Sequence, residues 1–330
     1  FGIWSISNSN SITSIDDSFY LFLKDKIKLF SFLHIIIAPR KKYTIKESVS
    51  TIHSYSYSLT MNEYYSKSIS IILRRIKELY ENRHSFFSTN EEEIISDYEH
   101  TISKTGFKIN SLPLIIYKYF ITIPKFSFFK FFYKNHWSLL CFYNDHKSSS
   151  LDLINLDPGK SKFWADPHII SRNDRDYVFV EELEYRGKKG HITVIELDNG
   201  KIINTKVILE KTYHLSYPFI LEHQEKIYMI PESGQNSTIE LYESINFPYE
   251  WVYVKDIMKD IKAYDTTLYF YDDKFWLFTN IVGNVNSNAN DELFLFYSDN
   301  LLSDIWTPHP LNPIVSGSDN ARSAGPIFEK

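Results

Sequence analysis

A layout that returns about every fifty residues constrains this chain more than any other feature. FWADPHII (163–170) opens the first unit at Asp166-Pro167. Comparable turns leading into apolar runs recur at Tyr217-Pro218 (YPFIL), Asp265-Thr266-Thr267 (DTTLY) and Ala324-Gly325-Pro326 (AGPIF), at offsets of 51, 48 and 59 residues. Each of the first three openings is followed by a second run, YVFVEE (177–182), IYMIPE (227–232) and FWLFTN (275–280). A third run comes after each: HITVIEL (191–197), TIELYES (238–244) and ELFLFYS (292–298). Short runs rich in β-branched and aromatic residues, bounded by Gly, Asn, Asp and Pro, read as strands. A fixed period near fifty with several short strands per period is the pattern of β-propeller blades. The first strand of a blade lines the central channel, so residues at its mouth converge from every blade. Asp166 occupies such a mouth.

Composition narrows the partners. A formal net charge of −5 and an isoelectric point near 6.1 give no electrostatic case for nucleic acid. The single cysteine, Cys141 in WSLLCFY, excludes an internal disulfide and fits a reducing, cytoplasmic setting; it reads as a core thiol. The chain begins with Phe and stops as a fourth blade opens, so it reads as a piece of a longer protein. An unclosed propeller then leaves strand edges exposed.

The N-terminal part is built differently. Residues 1–85 read as a smaller α/β segment, with strands in FGIWSIS and IKLFSFLHIII (27–37). A helix follows from about Met61, its apolar face formed by Tyr65, Ile69, Ile72, Ile76 and Leu79. Residues 86–135 read as a helical connector, with an acidic helix in 88–106. LPLIIYKYFITIPKFSFFKFFYK (112–134) is strongly apolar, but Lys118, Pro124, Lys125 and Lys130 interrupt it as a membrane span. Two readings stand for it. One is a helix packing the first domain onto the propeller, which we prefer; the other is a peripheral, interfacial membrane helix. HWSLLCFYN (136–144) reads as a strand that completes the last blade of a closed ring.

Two resemblances bear on function. Gly2-Ile3-Trp4-Ser5 and Thr51-Ile52-His53-Ser54-Tyr55-Ser56, ahead of a long helix, resemble the later part of a formyltransferase-like domain. That family implies a catalytic His after the opening, and Ser7 stands there, so the resemblance implies a degenerate remnant; His34 and His53 read as structural. FWADPHII, the Glu181-Glu182 pair, SYPFI, IYMIPES, DTTLYFYDDKFWLFT, the stretch 298–313 and ARSAGPIF together resemble the N-terminal domain of the glucosamine inositolphosphorylceramide transferases and its bacterial relatives. The match spans about 136–330, and in bacteria such domains follow formyltransferase-like segments. The family implies a mainly β fold, a five-bladed β-propeller, incomplete in this chain and related to arabinanase and fructosidase glycosidases. The glycosyltransferase domain of the plant members is not visible.

Glycosidases of that fold act with carboxylates around the channel mouth. The resemblance implies Asp166, Glu232 and Asp265 as catalytic candidates, with Glu232 suited to general acid if burial raises its pKa. Glu182, chosen over Glu181 by register with Glu232, and Arg322 are expected to bind substrate. So are Trp164 and Tyr217, by stacking on a sugar face. Tyr217 stands where the glycosidases carry an acid, which puts hydrolysis in doubt and favours binding. The bland readings are an Asp-Pro turn at Asp166 and a Glu182–Arg322 ion pair. Trp251, Trp276 and Trp306 read as core. The histidines are scattered without ligand spacing, 284–291 lacks a calcium-loop pattern, and Gly187–Gly190 is a hairpin turn rather than a phosphate loop, so neither metal nor cofactor is expected. The expected function is a carbohydrate-active domain handling a glycan or sugar-lipid precursor. The rival is a non-catalytic glycan-binding or protein-scaffolding propeller.

Overall fold

The computed structural model describes residues 3–7, 19, 21–24, 28–37, 41–81, 86–87, 91–94, 112–143, 152–187, 189–283 and 287–328. The chain forms two compact units. The first is Phe1–Lys134 with Asn284–Asp291 and Ser316–Asn320; the second is Asn135–Gly283 with Glu292–Val315 and Ala321–Lys330. The stretch 86–135, read as a connector, thus falls with the first unit up to Lys134.

In the first unit β1 (Ile3–Ser7), β2 (Lys28–Ile37), β3 (Lys41–Thr51) and β4 (Glu91–Ile94) form an antiparallel sheet in chain order. The acidic stretch expected as a helix in 88–106 therefore supplies a strand over 91–94, and its other residues lie outside the described ones. Helix α1 (Tyr57–Glu81) packs on β2 and β3. Its inward face is Thr60, Met61, Tyr64, Lys67, Ser68 and Ile71, whereas Tyr65, Ile69 and Ile76 are exposed. Of the expected apolar face only Ile72 and Leu79 pack against the core, so that face is corrected at Tyr65, Ile69 and Ile76. Two of the polar residues turned inward find partners: Thr60 Oγ1 donates to Ser56 O at 3.1 Å and accepts from His53 N at 2.9 Å, and Lys67 Nζ donates to Val49 O at 2.6 Å. A polar group with a buried partner costs little to enclose, so hydrophobic periodicity alone misplaces this face.

Helix α2 (Leu112–Phe132) contains one π-helical turn, Lys118–Thr122. Most of its apolar side chains are exposed, Phe120 at 76% and Phe131 at 84%.

The second unit holds three consecutive blades of an incomplete β-propeller. Strands β7 (Lys162–Arg172), β8 (Arg175–Glu184), β9 (His191–Asp198) and β10 (Lys201–Leu209) form the first antiparallel sheet. Strands β11 (Ser216–His223), β12 (Lys226–Ser233), β13 (Thr238–Asn246) and β14 (Glu250–Lys259) form the second. The third runs β15 (Ala263–Tyr271), β16 (Lys274–Ile281), β17 (Glu292–Ser298) and β18 (Thr307–Pro308). The three strands expected per blade are present, and each blade adds a fourth. Those outer strands escape the pattern because β10 is exposed along almost all its length, so neither alternation nor a continuous apolar run marks it. The opening at Ala324-Gly325-Pro326 forms no strand.

The first strands β7, β11 and β15 are neighbours, and the core lies between blades. Phe179, Ile192 and Val194 of the first blade meet Ile220, Met229 and Tyr242 of the second. Phe219, Ile230 and Leu241 of the second meet Leu268, Phe275 and Leu277 of the third. Middle strands are therefore covered on both faces, which their unbroken apolar runs require. Strand β5 (Leu139–Tyr143) pairs with β6 (Asp152–Leu156), and Leu139 and Leu156 pack with Trp164, Val178 and Val180 of the first blade. Cys141 is half-buried against this cluster.

Candidate active site

The three blade openings share one backbone device. Pairing between β7 and β8 skips from Ala165↔Glu181 to His168↔Phe179, that between β11 and β12 from Ser216↔Glu232 to Phe219↔Ile230, and that between β15 and β16 from Tyr264↔Asn280 to Thr267↔Phe278. Each skip is a β-bulge whose first residue is left-handed: Asp166 (φ 50°), Tyr217 (φ 41°) and Asp265 (φ 48°). Such a backbone is costly for a residue with a Cβ, and a bulge re-aims its side chain. Pro follows Asp166 and Tyr217; it removes an N–H that the interrupted ladder leaves without a strand partner.

Across each bulge stands the residue paired just before it: Glu181, Glu232 and Asn280. The structural equivalent of Glu232 is thus Glu181, and the register argument that selected Glu182 is off by one. Because strand side chains alternate, that single step sends Glu182 to the opposite face. There Glu182, 3% exposed, meets Lys162 Nζ at 2.8 Å, His191 Nε2 at 3.2 Å and Trp164 Nε1 at 2.6 Å. Burial alone would raise its pKa, but hydrogen bonds from His191, Lys162 and Trp164 hold it down at about 2. Trp164 is itself 4% exposed, so it presents no face to a sugar. Neither residue reaches the mouth, and the ion pair envisaged between Glu182 and Arg322 is not formed.

The mouth gathers Asp166, Glu181, Glu232, Asp265 and Arg322. Arg322 grips Asp265 through two nitrogens, Nε to Oδ2 and Nη2 to Oδ1 at 3.2 Å, and its Nη2 lies 4.0 Å from Glu232 Oε2. Asp265 N–H donates to Glu232 Oε2 at 3.2 Å. Asn280 holds the segment that delivers Arg322: its Nδ2 donates to Ala321 O at 3.0 Å, and its Oδ1 accepts from Ser323 N at 3.3 Å. Sequence reading assigned Asn280 no role.

Burial and crowding of like charge set the protonation pattern. Burial, then the charges of Asp166 and Glu232, push Glu181 up to about 8. It is therefore protonated at neutral pH and donates to the Asp166 carboxylate. Glu232 is pushed up to about 7 by burial and then by Asp265. Asp166 stands at the solvent edge; loss of surrounding water and the charge of Asp265 raise it, opposed by Arg322, the Tyr217 N–H and Glu181. The cluster thus offers one carboxylate open to a ligand beside two carboxyls that retain or exchange a proton near neutrality. Pairs of carboxyls separated in this way are the equipment of general acid–base chemistry and of gripping sugar hydroxyls.

A second layer fixes Glu181. Gly190 N–H donates to His214 Nδ1 at 2.8 Å, so the imidazole proton sits on Nε2, which faces Glu181 Oε1 at 3.3 Å. Burial lowers the His214 pKa and favours this neutral form. Gly190 is needed for the approach: a Cβ there would lie 2.9 Å from Glu181 Oε1 and 2.7 Å from Leu215 O. Tyr217, expected to stack on a sugar, is 8% exposed and bonds Thr267 Oγ1 at 2.8 Å across the second and third blades. It supplies a backbone N–H and a lock rather than a platform. Trp306 is core, as expected, while Trp251 and Trp276 are half-buried.

The sequence matches the family described as glucosamine inositolphosphorylceramide transferase 1, N-terminal, over residues 154–329. The chain belongs to that family. The glucosamine inositolphosphorylceramide transferase 1 of Oryza sativa subsp. japonica is 33% identical over 172 residues, covering 51% of this chain and 23% of the relative. That of Arabidopsis thaliana is 32% identical over 172 residues, covering 51% and 22%. The chain thus spans less than a quarter of the length of these relatives. Among solved structures, Zg3597, a family 117 glycoside hydrolase of Zobellia galactanivorans, is similar with a TM-score of 0.39 and 15% identity, over 55% of this chain and 64% of that one. The family 43 β-1,3-galactosidase BT0265 is similar with a TM-score of 0.41 and 11% identity, over 52% and 39%.

Glu181 and Asn280 were legible in the family segment through one spacing. Fifteen residues separate Asp166 from Glu181, Tyr217 from Glu232 and Asp265 from Asn280, which is the strand–turn–strand distance across each bulge.

Proposed function

We propose that the channel mouth binds a glycan or the sugar headgroup of a lipid precursor, and that Asp166, Glu181 and Glu232 exchange protons with it during group transfer. One observation carries this reading: two buried carboxyls that titrate near neutrality converge with a solvent-facing Asp166 beside Arg322, which Asp265 and the Asn280-held segment fix in place. The family name supports it, since the plant relatives are named for transfer to an inositolphosphorylceramide. The locked aromatics, Trp164 and Tyr217, leave recognition to hydrogen bonds. For residues 1–85 we keep a formyltransferase-like origin as a proposal resting on their motifs, without catalysis, and a cytoplasmic setting as one resting on Cys141.

The test is a screen of glycans and sugar nucleotides by calorimetry with the wild type, Asp166→Asn and Glu232→Gln. Saturable binding by the wild type, at least ten-fold weaker in Asp166→Asn, supports the site. Product formed by the wild type and lost in both variants, with binding kept by Glu232→Gln, supports the enzyme reading. Binding with no turnover under any donor supports the glycan-binding alternative. No binding by the wild type refutes both and leaves a protein scaffold.

A further inference from the structure

Helix α2 is apolar nearly all round yet lies in the open. Ile116, Tyr117, Tyr119, Phe120, Ile121, Phe128, Phe131, Phe132 and Tyr133 are exposed, far more contiguous apolar surface than water tolerates without a partner. Only one stripe of the helix touches the rest of its unit, and in the second half those contacts are made by exposed side chains. Leu114 and Ile115 pack on the cluster of Phe22, Leu23 and Tyr64. Lys118 Nζ sits 4.7 Å from the Phe22 ring, Phe126 stacks on Tyr55 at 5.1 Å, and Lys130 Nζ lies 6.0 Å from the Tyr55 ring. The helix, 21 residues, is long and apolar enough to cross a bilayer, but its contacts with its own unit and the lysines at 118, 125 and 130 along it favour a long axis lying along a surface.

Charge selects that surface. Residues 100–144 contain six lysines, at 104, 108, 118, 125, 130 and 134, and no Asp or Glu, in a chain whose formal net charge is −5. Lys125, Lys130 and Lys134 are exposed around the aromatic face. Aromatic rings at the headgroup level, aliphatic anchors between them and lysines beside them are the composition of a helix lying in an anionic interface.

We propose that α2 docks the protein flat on an anionic phospholipid bilayer, through Phe120, Phe128, Phe131 and Phe132 with Lys125, Lys130 and Lys134 beside them. This stands independently of the channel mouth.

The test is co-sedimentation of the full chain with vesicles of phosphatidylcholine alone and of phosphatidylcholine mixed equally with phosphatidylglycerol. The wild type is expected to sediment with the anionic vesicles only, and more weakly as salt is raised. Lys125→Glu/Lys130→Glu/Lys134→Glu should lose at least about a hundred-fold in partitioning, since each surface lysine is worth roughly five-fold. Phe120→Ser/Phe131→Ser, at exposed positions that leave the fold intact by circular dichroism, should lose it as well. Failure of the wild type to sediment overturns the proposal, as does sedimentation that neither variant weakens. A concentration-dependent dimer abolished by Phe120→Ser/Phe131→Ser, with no vesicle binding, also overturns it and assigns the face to a second copy.

Discussion

Glu181 shows how a single side chain couples the channel mouth to pH. Its carboxyl stands at about 8 in the folded chain against an ordinary value of 4.5. Between those values the unfolded chain has released the proton and the folded chain keeps it. Its contribution to stability is therefore complete below pH 4.5 and lost as pH rises to about 8. Glu181→Gln, fixed in the neutral state, should flatten the fall of the urea midpoint over this window and be no less stable than the wild type at pH 8. A variant less stable than the wild type at that pH would show that Glu181 is ionised in the fold. Glu182, one residue away, has the opposite sign. Held at about 2, it stabilises above its ordinary value of 4.5 and loses that contribution as pH falls through 2. Sequence reading chose Glu182 of the two adjacent glutamates, and the choice failed because the answer depends on where the bulge falls between the paired strands.

At the scale of elements, the bulged first strand is the unit of construction. It sets a left-handed residue at each mouth and brings a fifteen-residue partner opposite it. In the third blade the partner is Asn280, which binds Glu292 O at 2.9 Å as well as Ala321 and Ser323. Asn280→Ala should cost about 2 kcal/mol by urea denaturation, several hydrogen bonds in a fully buried place. It should also weaken any ligand that wild type binds through Arg322. A loss under about 0.5 kcal/mol would mean that the segment 321–323 is held by other means. The inner and middle strands were legible because both faces bury apolar residues. The outer strands β10 and β14 and the inward face of α1 were not, because exposure in the first case and satisfied polar groups in the second erase the hydrophobic period.

At the scale of the molecule, distant stretches complete one another within a unit. In the first, Lys67 of α1 lies 3.4 Å from Asp291, 224 residues away, with both side chains nearly enclosed. Asp291→Ala should cost about 3 kcal/mol, since it removes one anionic partner of a buried ammonium. A change within about 0.5 kcal/mol would show the pair to be dispensable, as exposed pairs commonly are.

By itself the sequence determined the blade period, the mainly β class, the family and four of the five residues at the mouth, because strand lengths, turn residues and apolar runs are local and repeat. Only the tertiary structure decided that Glu181 rather than Glu182 faces the channel, that Trp164 and Tyr217 are locked inside, and that α2 keeps its aromatic face uncovered. Each of these depends on register and on which surfaces meet across the fold. A one-residue slip in pairing reverses the direction of every side chain beyond it, and hydrophobic patterning within one strand does not record that slip.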